Sequence, residues 1–135
     1  MPQQQLTSLQ LTGLANNFLA ISQALGNYRY SNNVGSQITQ EENQTLGNLQ
    51  WTLLNYADDL YTQSAILIMD NVEQSLATIS NVTAQIQSTY KTLLTIQKAI
   101  NVATSVTTLG AAIMSKNPPA IASAIHGVFD TLKAA

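Results

Sequence analysis

Residues 48–109 contain neither glycine nor proline, the two residues that interrupt helices most strongly. Apolar residues recur three or four positions apart through this stretch, which is the spacing of one face of an α-helix. The most regular run comprises Leu76, Ile79, Val82, Ile86, Tyr90, Leu93, Ile96, Ile100, Ala103, Val106, Leu109 and Ile113. Strand-like alternation of any length is not found. The chain is therefore predicted to be all-α, with long amphipathic helices.

Four helices are predicted from this periodicity and from the residues that interrupt it. They cover residues 6–25, 37–69, 72–116 and 119–133. Gly26 suits a helix C-terminus and Ser36 an N-cap, so the residues between them are expected to form a loop. The run from Asp70 to Glu73 resembles a capping box and predicts a break, the alternative being one helix that continues through it. Asn117 precedes a proline, which disfavours helical backbone and ends the third helix.

The predicted architecture is an elongated antiparallel bundle of three to four helices, with a C-terminal helical hairpin rich in alanine and isoleucine. Residues 1–135 are taken as one domain, because this length suits a single hydrophobic core. Long helices joined by short connections pack as neighbours in such bundles. The third helix would carry its apolar stripe for about six heptads, as in a long bundle helix or a coiled coil.

Charged residues are unusually scarce. They make up 9% of the chain, against about 25% in an ordinary soluble domain, and the net charge is −2. The surface therefore offers no basic field for nucleic acid and opposes self-association only weakly. Cysteine is absent, which excludes disulfides and thiolate chemistry. This composition favours a secreted, assembling or membrane-active protein over a monomeric enzyme.

Residues that could support catalysis or metal binding are few. His126, the single histidine, lies four positions before Asp130, so the two can meet on one helical face, but no nucleophile accompanies them. Asp58 and Asp59 are adjacent and point about 100° apart on a helix, which does not make a chelating pair. Phosphate-binding loops and zinc-ligand spacings are missing. We predict no catalytic residues, no cofactor, no metal site and no enzymatic activity.

The C-terminal segment has the most distinctive composition. Between Ala99 and Phe129 the one formal charge is that of Lys116. The predicted hairpin turn consists of Lys116, Asn117, Pro118 and Pro119. Small residues on both arms allow close helix packing, in soluble bundles and in membranes alike. Neither arm is long and apolar enough to cross about 30 Å of hydrocarbon alone. The hairpin is therefore either a packed part of the core or a segment that leaves the bundle for a membrane.

The segment from Ile96 to Leu132, with Gly-Ala-Ala-Ile before the turn and Asn-Pro-Pro-Ala-Ile at it, resembles α-helical pore-forming toxins of the cytolysin A and tripartite haemolysin/enterotoxin type. The similarity is compositional and covers about a quarter of the chain. It implies a soluble bundle that stows an apolar segment, releases it on membrane contact and assembles into a ring. The stowed segment would be Thr108 to Phe129. The membrane-inserting candidates are Leu109, Ile113, Met114, Ile121, Ile125, Val128 and Phe129.

The leading functional prediction is a small bacterial membrane-active protein, a pore-forming toxin or a component of one. Its expected partners are a lipid membrane and either copies of itself or sister toxin subunits. The N-terminal residues lack the pattern of a cleavable signal peptide, so we expect release by a signal-peptide-independent route, or otherwise a cytoplasmic location. The alternative is a self-assembling structural protein without membrane activity, similar in its low charge to the small helical subunits of bacterial ribbons called R-bodies.

Overall fold

A computed structural model of the protein describes residues 3–30, 38–62, 68–92 and 95–134. In chain order the elements are β1 (Gln3–Gln5), α1 (Ser8–Arg29), α2 (Gln40–Thr62), β2 (Ile68–Asp70), α3 (Val72–Thr92), α4 (Ile96–Met114) and α5 (Pro118–Ala134). The predicted all-α class is confirmed. The described part of the chain holds five helices rather than three to four. A short antiparallel ladder, in which Gln3 pairs with Asp70 and Gln5 with Ile68, joins β1 to β2.

The first helix is longer than the sequence predicts. It begins after Thr7, whose hydroxyl accepts from the Gln10 backbone N–H at 3.2 Å while the Gln10 side chain accepts from the Thr7 N–H at 2.8 Å. It continues past Gly26 to Arg29, so the expected stop at residue 25 is wrong. Gly26 is instead a contact residue, because a Cβ there would lie 2.7 Å from Nε2 of Gln50 on α2.

The second helix is shorter than the predicted span of residues 37–69. Thr39 and Glu42 form a reciprocal capping pair, with hydrogen bonds of 2.9 and 3.0 Å, and α2 starts at Gln40. The proposed cap Ser36 lies outside the described residues. The helix ends at Thr62, and residues 68–70 form a strand, so the predicted C-terminal end is wrong. A new helix does follow Asp70, since α3 begins after Asn71, whose φ is 48°.

The long third helix predicted over residues 72–116 is two helices in the structure. The first ends at Thr92, and the second begins at Ile96. Thr95, in extended conformation at φ −125° and ψ 142°, caps α4 by accepting from the Lys98 N–H at 3.3 Å. Beside this junction the buried Tyr90 hydroxyl donates to the carbonyl of Ala99 at 2.9 Å. Tertiary contacts therefore override a periodicity that on its own favours one helix.

The helices pack in a closed cycle. α1 lies against α2 and α3, α4 lies against α2 and α5, and α5 returns to α3 and β2. One apolar cluster fills the centre and takes side chains from all five helices. Its largest fully buried members are Leu14, Phe18, Leu25, Leu46, Leu53, Ile86, Val102, Val106, Ile113 and Val128. Burying a side chain of this size contributes about 1.5–3 kcal/mol, so all five helices depend on the same core.

Candidate functional site

The predicted hairpin turn lies between α4 and α5. Ser115 ends α4, and its N–H donates to the carbonyl of Ala111 at 3.0 Å. Lys116 has φ 60°, in the left-handed region that reverses the chain. The Asn117 side chain then accepts from the Ala120 N–H at 3.3 Å, and Pro118 is the first residue of α5. Proline is well suited to that position, because its missing N–H is one of the unpaired donors of a helix start.

All seven membrane-inserting candidates pack into the bundle in this conformation. Leu109, Ile113, Ile121 and Val128 are buried in the core. Met114, Ile125 and Phe129 are half-buried against it. The hairpin therefore supplies a large share of the C-terminal core, and the role of these residues in a membrane remains a prediction.

The hairpin is anchored to α2 by one close contact. A Cβ at Gly110 would lie 2.5 Å from Cδ2 and Cε2 of Tyr56, so α4 meets this ring only because residue 110 has no side chain. The Tyr56 ring in turn packs edge-on against Phe18, with 5.9 Å between centroids. Burial raises the pKa of Tyr56. In the sequence Gly110 is recognisable only as part of an apolar arm. Its contact with Tyr56 was not predicted, because the two residues are far apart in the chain.

The outward side of the hairpin is covered by small and hydroxyl-bearing residues. Thr104, Thr108, Ala111, Ala122 and Ser123 are exposed. A shallow groove between the two helices is lined by Ser105, Thr108, Ala112, Ala120, Ser123, Ala124, Gly127 and Thr131. α4 and α5 are also the two most hydrophobic helices of the described chain. No helix in the described ranges has both the length and the apolar character needed to cross a membrane.

The polar candidates from the sequence analysis do not assemble into a site. His126 and Asp130 are both exposed, and the structure places no hydrogen bond or ion pair between them. Asp58 and Asp59 are exposed on α2. Across the residues that the structure describes, no three histidine or acidic side chains are grouped so that they could hold a metal ion.

A polar and aromatic cluster joins α1 to α2 and α3 at the end of α1, where Tyr28 and Arg29, expected in a loop, are helical. Arg29 donates from Nε to Oδ1 of Asn43 at 3.0 Å and from a terminal nitrogen to Oε1 of Gln50 at 2.8 Å. The rings of Tyr28 and Tyr90 lie 5.6 Å apart. Burial, and secondarily the neighbouring Tyr28, raises the pKa of Tyr90. These contacts fix α1 to α2 and α3, so this cluster is structural.

Two aromatic residues on α2 face solvent. Trp51 is 66% exposed and Tyr61 is 38% exposed. They lie ten positions apart, with Leu54 half-buried between them on the same side of the helix. The Tyr61 hydroxyl donates to Oδ1 of Asn16 on α1. The aromatic residues of α2 are therefore divided between the core, against which Tyr56 packs, and the surface, where Trp51 and Tyr61 lie.

Comparisons with protein-family models, with curated proteins and with solved structures found no match for the chain. The function is therefore argued from the hairpin and its surroundings alone.

Proposed function

We propose that the protein is membrane-active, as a pore-forming protein or a component of one, and that the α4–α5 hairpin is the segment that enters lipid. The observation that carries this proposal is the composition of the hairpin. The two most hydrophobic helices are consecutive, and a short turn joins them. Between Ala99 and Phe129 their only formal charge is Lys116, which lies in that turn.

The lack of charge on the outer side of the hairpin favours its transfer to lipid as much as the apolar character of its inner side does. A helix that moves from a bundle into lipid transfers both sides, and a single charged residue at the membrane centre costs about 2.5–3.5 kcal/mol. The exposed alanine, serine and threonine residues avoid that cost. Most contacts of α5 are with α4, so the two helices are able to move as one unit.

Helix length points to assembly. The part of α4 without charge, residues 99–114, has 16 residues, and that of α5, residues 118–129, has 12, or about 24 and 18 Å at 1.5 Å per residue, which is less than about 30 Å of hydrocarbon. Several hairpins together would satisfy the mismatch better than one, with their hydroxyl groups facing one another. The proposal therefore includes copies of this chain or sister subunits as partners, and a bacterial protein that acts at a target membrane after release from the cell. It takes residues 1–135 as one elongated antiparallel bundle.

Release of calcein from phosphatidylcholine vesicles, with and without phosphatidylglycerol, tests this function. Ile113 and Ile121 are buried, so a charge at either would unfold the hairpin whatever its role. Exposed alanines avoid this difficulty. Ala111→Glu and Ala122→Glu place a charge on the outer side of the hairpin, and Ala77→Glu and Ala84→Glu are matched controls on exposed positions of α3.

We expect the parent and the two α3 variants to release calcein equally, and each hairpin variant to lose at least about tenfold, because one buried charge costs more than 1.4 kcal/mol. Circular dichroism and thermal unfolding should be alike in all five proteins, since every site is exposed. Equal release by Ala111→Glu, Ala122→Glu and the parent would disprove the role of the hairpin. No release by the parent in either lipid would disprove membrane activity.

The exposed apolar residues favour a second candidate function, self-assembly without a membrane. Leu9 is 83% exposed and Trp51 is 66% exposed, so both large apolar side chains are available for contact with a second copy of the chain. Self-assembly predicts that the sedimentation coefficient of the parent rises with protein concentration in plain buffer. At the same concentration, Trp51→Gln should have a lower sedimentation coefficient than the parent. A parent that stays monomeric at high concentration would rule it out.

A further inference from the structure

The hydroxyl groups of α4 already have hydrogen-bond partners within their own helix. Each donates to a carbonyl three or four residues earlier, at 2.8–3.0 Å, and they belong to Thr104, Ser105, Thr107 and Thr108. A hydroxyl that bonds its own backbone loses little when water is removed around it. Helix α4 therefore brings no unpartnered hydroxyl donor into a dry environment.

Helix α5 carries a row of polar side chains that have no such partners. This polar row consists of Ser123, His126 and Asp130, whose spacing of i, i+3 and i+7 places them on one side of the helix, and all three are exposed. Within the described residues, none of the three takes part in a side-chain hydrogen bond or an ion pair. By contrast, the Thr131 hydroxyl on the same helix donates to the carbonyl of Gly127 at 2.9 Å. The polar row therefore depends on water for its hydrogen bonds.

A second row on α5 is apolar. This apolar row consists of Ala122, Ile125 and Phe129, which repeat the same spacing one position earlier, so the two rows are about 100° apart around the helix. Ala122 is exposed, and the other two residues are half-buried against the core. The buried Ile121 and Val128 continue this surface on the far side from the polar row. One helix thus separates its polar side from its apolar side.

The polar row borders the groove between α4 and α5. Toward the turn, Ser123 lines this groove. Away from the turn, the groove is lined by Asn101, Thr104, Ser105, Asp130, Thr131 and Ala134. The polar surface of α5 therefore extends into the groove, whereas Ala111 on α4 lies outside its lining.

We propose that in the assembled pore α5 turns the polar row, Ser123, His126 and Asp130, to a water-filled lumen and the apolar row to lipid. This inference rests on the proposed function. Lipid offers no hydrogen-bond partners, so side chains that depend on water are stable at membrane depth only where they line a water-filled cavity. The hydroxyls of α4 are already bonded, so that helix tolerates contact with neighbouring hairpins and with lipid. Helix α5, rather than α4, lines the lumen.

The three members of the polar row lie at different depths. Ser123 and His126 are 5 and 8 residues after Pro118, or about 8 and 12 Å along α5. Asp130 is 12 residues after Pro118, or about 18 Å. In a hairpin that enters turn first, the carboxylate therefore stays toward the side of entry. Ser123 and His126 lie deeper and are the better positions for a test.

Cysteine accessibility tests which side of α5 meets water. The chain has no cysteine, so Ser123→Cys and His126→Cys each place a single thiol in the polar row. Ala122→Cys is the matched control in the apolar row, one residue from Ser123, and Ala111→Cys is the control on α4. All four positions are exposed in the bundle, so in buffer the thiols should react alike with sulfonatoethyl methanethiosulfonate, a charged reagent that stays in water.

The same reaction is then measured on protein recovered with phosphatidylcholine/phosphatidylglycerol vesicles by flotation, and current is recorded in planar bilayers before and after the reagent is added. We expect Ser123→Cys and His126→Cys to react on vesicles nearly as fast as in buffer, and their pore current to fall. Ala111→Cys and Ala122→Cys should react at least about tenfold more slowly on vesicles, because the reagent attacks the thiolate and apolar surroundings raise the pKa of a thiol. Their current should not change.

An unchanged current after reaction at Ser123→Cys and His126→Cys would overturn the inference. Equal reaction rates on vesicles for Ala122→Cys and Ser123→Cys would overturn it as well. In both cases, calcein release and a current through the parent protein would leave the proposed function standing. A parent protein that gives neither would overturn the proposed function and this inference with it.

Discussion

The two junctions that flank α4 are built in different ways. At its C-terminal end, Lys116 in the left-handed region, the Asn117 cap and Pro118 are consecutive, and proline forbids a continuous helix whatever surrounds it. At its N-terminal end, Thr95 is the one capping residue, and no glycine or proline accompanies it. The first junction is specified by local sequence, and the second depends on tertiary contacts.

This difference shows which parts of the chain are able to change shape together. A locally specified turn survives when its surroundings change, whereas a junction held by packing persists only while the packing does. The turn between α4 and α5 is therefore expected to persist when the packing of α4 is disturbed.

The largest effect is expected where α4 meets α2. Gly110→Ala would place a Cβ 2.5 Å from the Tyr56 ring, and the overpacking should lower the free energy of unfolding by about 1–3 kcal/mol. Gly127→Ala is the matched control on α5, where a Cβ meets nothing within 4 Å. It should raise stability by up to about 1 kcal/mol through helix propensity. Urea unfolding followed by circular dichroism measures both, and equal signs would contradict the role of the Tyr56 contact.

The next effect concerns the hydrogen bond between the last turn of α3 and the first turn of α4. Tyr90→Phe removes the hydrogen bond from the buried hydroxyl to the Ala99 carbonyl, which keeps its helical partner within α4, and this should cost about 0.5–1.5 kcal/mol. Tyr61→Phe removes an exposed hydroxyl and should change the free energy of unfolding by less than about 0.5 kcal/mol. If both variants unfold at the same urea concentration, the bond to Ala99 contributes nothing to the junction.

Tyr90 also makes stability depend on alkaline pH. Its pKa is raised in the folded state by burial, so above about pH 10 the unfolded chain loses a proton that the folded chain keeps. The stabilisation is complete below the ordinary tyrosine pKa and is lost as pH rises through the folded one. Tyr28 and Tyr56, whose pKa values burial also raises, act in the same direction. Tyr90→Phe should therefore reduce, without abolishing, the fall in melting temperature above pH 10.

The sequence predicts well where local chemistry decides the structure. The turn at Asn117 and Pro118 and the new helix after Asp70 follow from capping and proline rules that act over a few residues. The end of α3 at Thr92 was missed because the apolar spacing continues past it and no glycine or proline marks it. Gly26 was misread as a helix stop, since a glycine that lies inside a helix beside Gln50 is indistinguishable in sequence from one that ends a helix.

In the candidate site, too, features set by neighbouring residues were predictable and features set by distant residues were not. The composition of the hairpin and the position of its turn were evident from the sequence, because both depend on neighbouring residues. The anchor of the hairpin was not, since the Gly110–Tyr56 contact joins positions far apart in the chain. The exposure of Trp51 was likewise unforeseen, because an aromatic residue on a helix is core more often than surface.

The smallest expected effect compares the two caps on either side of α4. Thr95 and Asn117 each accept one backbone N–H at 3.3 Å, so Thr95→Ala and Asn117→Ala should each cost about 1 kcal/mol in urea unfolding. The loss should have the same cause at both ends of α4, because each variant leaves one backbone N–H of a first helical turn without its side-chain acceptor. If either variant unfolds at the same urea concentration as the parent, the cap at that end contributes nothing to its junction.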